Sequence, residues 1–219
     1  MELVTVNTSD GIFLDAAWYP NNESNVGVIL LHGKGQNFYT SVVRWLAPYL
    51  STIGFSSIAI NLRDHDHRET EGIELANKDI NAGVNFLKDK GIDKIFLIGV
   101  SFGSNKAALY PSEKFTNDLI KGLILLSAGG SRTDLPDLWR RVVKNLEGVT
   151  LPLFVIQAGS DEFVSQPREA GLELIEASNN SPLNHLVVID GANHGFTNHK
   201  EEVSIEICNW LTLNNRQKI

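Results

Sequence analysis

Apolar positions along this chain fall into short, near-continuous blocks separated by stretches in which they recur at helical spacing. Val26–Leu31 reads as a strand covered on both faces, and so do Ile95–Val100 and Ile120–Leu126. Ser56–Leu62, Leu153–Gln157 and Leu186–Ile189 complete a set of six. Between the strands, Val43, Leu46, Ala47 and Leu50 mark a helix over Thr40–Ile53. Leu75, Ile80, Val84 and Leu87 give the inward face of Ile73–Lys90, which Gly91 ends. Val203, Ile207, Trp210 and Leu211 do the same for a closing helix over His199–Leu213. Shorter helices are predicted after Ser101, over Asp134–Leu146 with Pro136 in its first turn, and over Pro167–Ala177. Ahead of all this, Leu3–Val6 and Ile12–Tyr19 read as two strands around the turn-rich Asn7–Gly11.

From Val26 onward strand and helix alternate. That order predicts an α/β fold: a mostly parallel eight-stranded sheet, helices on both faces, right-handed crossovers, and the first hairpin at an antiparallel edge. No internal repeat, low-complexity segment or linker interrupts it, so residues 1–219 are expected to form a single domain. A chain of 219 residues, 42% hydrophobic, can bury one full core. Its charge of −7 repels phosphate backbones and anionic membranes, and no Lys/Arg cluster offsets that, so nucleic acid is not an expected partner. No apolar stretch reaches the roughly 18 residues that span a bilayer. With no basic, apolar leader at Met1, the expectation is a cytoplasmic protein without membrane insertion. The single cysteine, Cys208, excludes an internal disulfide and a cysteine-based metal cage; its helical setting suggests a small core residue.

In a sheet of this kind, reactive groups come from loops beyond the carboxyl ends of the strands. Three such loops carry chemistry. Gly99-Val-Ser101-Phe-Gly103 joins a buried strand to an Ala/Leu-containing helix, the strand–turn–helix context in which a G-x-S-x-G pattern is informative. Gly159-Ser-Asp161-Glu-Phe-Val164 follows a second strand, and Gly191-Ala-Asn-His194-Gly-Phe a third. A serine hydroxyl needs a neighbour to take its proton before it can attack. His194 can take that proton and later return it, and Asp161 can fix the imidazole tautomer and stabilise the imidazolium. The anionic oxygen of a tetrahedral intermediate needs placed donors; the backbone N–H groups of Phe102 and of Lys34, in the loop after His32-Gly33, are the candidates.

These residues resemble an α/β-hydrolase of the small serine esterase kind, similar to dienelactone-hydrolase-like and lipase-like members. The likeness rests on Leu31-His-Gly-Lys-Gly35 and on the three loops just quoted, and it runs from Val26 to Leu213. It implies Ser101 as nucleophile, Asp161 as acid, His194 as base, Lys34 and Phe102 as oxyanion donors, no cofactor and no metal. Three departures stand out. One residue separates Gly159 from the acid where many members have two, which leaves Glu162 as a competitor; Val164, three residues on, favours Asp161. Asn61–His65 lacks the glycines common there. Dienelactone hydrolases proper use cysteine, so their substrate is not implied.

Other polar residues have plainer readings. His32 is expected to be a buried structural histidine. Asp64, His65, Asp66 and His67 read as a solvated charged loop rather than a metal site. Ser104 reads as helix packing, Arg140 and Arg141 as a solvated face, and His185 as lying at the wrong strand end. Gln36, Phe38, Tyr39 and Trp139 are candidate pocket walls. Only one loop and one short helix are expected between Ser127 and Leu151, so no separate cap domain should cover the pocket, which suits small or extended esters. The expected partner is a small-molecule ester. The same triad would serve a thioesterase or a peptide hydrolase, and a binding module that has lost catalysis is a further alternative. No pattern fixes the oligomeric state; a homodimer fits as well as a monomer.

Overall fold

A computed structural model describes residues 1–65, 72–111 and 117–216. The strands are β1 (Glu2–Asn7), β2 (Phe13–Tyr19), β3 (Val26–Leu31), β4 (Ser56–Ile60), β5 (Lys94–Val100), β6 (Ile120–Leu126), β7 (Leu153–Ala158) and β8 (Asn184–Ile189). The helices are α1 (Ser41–Thr52), α2 (Gly72–Asp89), α3 (Phe102–Leu109), α4 (Ser131–Asp134), α5 (Pro136–Leu146), α6 (Pro167–Ala177) and α7 (Lys200–Arg216). One eight-stranded sheet runs in the order β1-β2-β4-β3-β5-β6-β7-β8. β1–β2 and β2–β4 pair antiparallel and every other pair is parallel, so the hairpin does extend one edge.

Strand alternation sorts the core into two layers. Ile29, Leu31, Leu97, Leu123 and Val155 face α2, α3, α5 and α6. Val28, Leu30, Ile98, Ile124 and Ile156 face α1 and α7. The central strands β3, β5, β6 and β7 are buried almost throughout, as their unbroken apolar runs require. Among the described residues, no helix is long and apolar enough to cross a membrane.

Several local expectations are corrected. The helix expected over Asp134–Leu146 is two, α4 and α5, broken at Leu135. Leu135 precedes a proline and is pushed out of the helical region, to φ −139° and ψ 65°. Leu75 is exposed and Ala76 is buried instead, a one-residue phase shift at the start of α2. Cys208 is half-buried rather than a core residue.

The charged loop after β4 also departs from its solvated reading. Asp66 and His67 lie outside the described residues. Asp64 is buried, and both its carboxylate oxygens lie 2.6 Å from Nζ of Lys106, a lysine 2% exposed within α3. Beside it, Arg63 donates to Asp79 and to Asp10, clipping α2 and the β1–β2 turn onto the same loop. Burial draws the Lys106 ammonium below the usual lysine range, and the Asp64 carboxylate opposes that. Removing one member of such a pair strands the other's charge. Lys106→Met alone is therefore expected to cost about 3–5 kcal/mol, and Lys106→Met with Asp64→Leu to recover most of that, as read by urea denaturation.

Candidate active site

Ser101 follows β5 and heads α3 with φ 54° and ψ −117°, a conformation that strains a residue bearing a Cβ. The two flanking glycines make room for it. A Cβ on Gly99 would stand 2.4 Å from the Gly103 carbonyl oxygen, and one on Gly103 would stand 2.4 Å from that of Leu31. The turn is thus wedged between β3 and β5 at a distance that only glycine permits. The Ser104 hydroxyl lies 2.9 Å from the Gly99 carbonyl oxygen and 3.0 Å from that of Leu126, fastening the first turn of α3 to β5 and β6.

Asp161, beyond β7, is held in a tight turn: its Oδ1 accepts the N–H groups of Phe163 (2.8 Å) and Val164 (2.9 Å). Its side chain is wholly buried, and its Oδ1 and Oδ2 stand 2.9 and 2.7 Å from Nδ1 of His194. A carboxylate can only accept, so Nδ1 carries the proton and the lone pair of the neutral ring belongs to Nε2. Glu162, the competing acid, takes the backbone of His194 instead of its ring. It accepts the His194 N–H at 3.0 Å, which lowers the Glu162 pKa. From the other side, the buried Ser127 hydroxyl donates to the His194 carbonyl at 2.8 Å. Phe163 stands edge-on to the imidazole, 5.0 Å between centroids.

A cavity of about 560 Å³ opens at this sheet edge, and Ser101 and His194 both line it. Among the described contacts, no hydrogen bond joins the serine hydroxyl to the ring. Lys34, Gly35 and Gln36 form one part of the wall and Phe102 and Asn105 another, and Gly130, Ser131, Asp134, Leu135 and Phe163 complete it. The Phe102 N–H opens α3 and has no acceptor within the helix. Gly33 brings the Lys34 loop close: a Cβ there would stand 3.2 Å from the Ser101 Cβ.

Of the four side chains expected as pocket walls, Gln36 lines this cavity and three do not. Trp139 is buried in the layer beneath the sheet, Phe38 packs on the opposite layer, and Tyr39 lies exposed against Arg44. Aromatic type alone does not tell which way a side chain turns. Ser131 and Leu135 line it from the stretch between Ala128 and Trp139 that was expected to bound the pocket, and Asn105 and Phe163 line it from outside that stretch. Spacing offers a signal for two of them: Asn105 follows Ser101 by one helical turn, and Phe163 follows Asp161 by two residues.

His32 is buried beside this wall. Its Nε2 accepts the Leu62 N–H at 3.1 Å, so Nδ1, 2.9 Å from the Gly33 carbonyl oxygen, carries the proton and the ring is neutral. Burial lowers its pKa to about 4. An unfolded histidine titrates near pH 6.5, so below that value the unfolded chain binds a proton the folded one refuses. Stability present above about pH 6.5 is therefore expected to be lost as pH falls toward 4, by up to about 3 kcal/mol. Urea midpoints measured across that range should fall more steeply for the wild type than for His32→Gln.

The chain belongs to the alpha/beta hydrolase fold family, whose profile matches residues 27–162. The esterase Pf2001 of Pyrococcus furiosus is similar in structure at 25% identity and a TM-score of 0.79, over 96% of this chain and 91% of that one. Est1E from Butyrivibrio proteoclasticus superposes over 99% of this chain and 100% of its own, with a TM-score of 0.81 at 19% identity. An alpha-beta serine hydrolase homologue from Coxiella burnetii does so over 96% and 97%, with a TM-score of 0.73 at 22% identity. At those two identities the likeness is one of fold. Among curated proteins, none matches the chain by sequence.

Proposed function

We propose that this protein is a serine hydrolase that cleaves carboxylic esters through an acyl-enzyme intermediate. One observation carries the reading: a serine strained at a helix head lines the same cavity as an imidazole whose Nδ1 is held by a wholly buried carboxylate. His194 Nε2 takes the Ser101 proton as the oxygen attacks the ester carbonyl. The tetrahedral oxyanion is met by the Phe102 and Lys34 N–H groups. The imidazolium, steadied by Asp161, gives its proton to the departing alkoxide, and the alcohol leaves. Water then attacks the acyl carbonyl as His194 takes its proton, and the imidazolium returns that proton to Ser101 Oγ as the C–Oγ bond breaks and the acid leaves.

The esterase similarity and the modest insertion between β6 and β7 favour a dissolved, small or extended ester as substrate. A fluorophosphonate probe tests the reading. It should label the purified protein on Ser101 in parallel with turnover of p-nitrophenyl acetate. Intact protein that neither reacts with the probe nor turns the ester over would refute it.

A further inference from the structure

Asn105 stands one turn after Ser101 on the same face of α3, about 6 Å further along the helix axis. It is 3% exposed, and it lines the cavity. Half of its amide is engaged: Oδ1 accepts the hydroxyl of Ser131, itself buried at the start of α4, at 3.2 Å. The other half, the Nδ2 amide nitrogen, has no acceptor among the described residues. That nitrogen opens on the cavity, so its acceptor is solvent or the group that displaces solvent there. Two exposed charges, Lys34 and Asp134, also line that cavity, one positive and one negative, and together favour a neutral occupant. A neutral group that accepts from an amide N–H and can also donate toward a carboxylate is a hydroxyl.

We propose that Asn105 is a specificity-determining residue that accepts substrates bearing a hydroxyl a few bonds from the scissile carbonyl, the hydroxyl oxygen receiving the Nδ2–H bond. This rests on the ester-hydrolase reading of the same cavity. The preference resides in Asn105, while Ser131 holds the amide in the orientation that aims its donor inward.

Two matched pairs test it, one with the hydroxyl on the acyl side and one on the alcohol side. The first sets p-nitrophenyl 3-hydroxybutyrate against p-nitrophenyl 3-methylbutyrate. The second sets 2,3-dihydroxypropyl acetate against 2-methylbutyl acetate. The wild type should favour the hydroxylated member of one pair about tenfold in kcat/KM, and Asn105→Leu should bring that ratio near unity. Asn105→Asp, which keeps the size and removes the donor, should lower the ratio too, should the leucine variant fail to fold. A wild-type ratio near unity in both pairs overturns the proposal. So does a variant that slows both members of a pair by the same factor.

Binding separates this proposal from the hydrolase reading. In Ser101→Ala protein, the side-chain amide resonance of Asn105 should move on titration with the favoured hydroxylated ester and stay still with its methylated partner. No movement overturns the proposal whatever the kinetics. Movement in a protein whose wild type turns over no ester upholds the subsite and sinks the hydrolase reading.

Discussion

Replacing Ser101 by alanine is expected to lower ester turnover by a factor on the order of 10⁴ to 10⁶, with substrate binding largely retained. The size follows from what is lost. Without Oγ there is no acyl intermediate, and what remains is the placement of water by the oxyanion donors and the cavity wall. Alanine carries the same backbone strain as serine: the φ of 54° is costly for any residue with a Cβ, and the substitution neither adds to it nor relieves it. The fold should therefore survive at near wild-type stability while the chemistry disappears. Initial rates with p-nitrophenyl acetate, alongside a thermal melt of both proteins, check both halves. A variant that keeps its rate would place the nucleophile elsewhere.

The second large effect belongs to Asp161. Asp161→Asn is expected to cost a factor on the order of 10⁴ in kcat, because an amide can donate to Nδ1 and so favours the wrong tautomer. Glu162→Gln should cost less than about tenfold, since Glu162 touches only the backbone of His194. Steady-state kinetics on the two single variants separates the neighbours. If Glu162→Gln were the damaging change, the acid would have been misassigned.

Much of this architecture can be read in one dimension because each element carries its own local instruction. Val26–Leu31, Ile120–Leu126 and Pro167–Ala177 have the same bounds in the sequence and in space. The order of serine, acid and histidine at three strand ends is equally local. What escapes is whatever depends on a distant partner. Lys106 sits in a short helix whose residues from Phe102 to Ala108 are all buried. Its charge suggests solvent, and only contact with Asp64, 42 positions away, makes burial tolerable. The pocket wall escapes for a related reason. Phe38, Tyr39 and Trp139 flank the right loops, but the backbone turns Phe38 and Trp139 into opposite layers and leaves Tyr39 exposed, while the small residues at Gly130 and Ser131 reach the cavity.

His194 is gripped at three points: its amide by Glu162, its carbonyl by Ser127 and its ring by Asp161. These grips come from the ends of two different strands, and none of them involves a ligand. The imidazole therefore loses its rotational freedom once, when the chain folds, and not again at each encounter with a substrate. On the proposed reading, an arriving ester has only itself to orient.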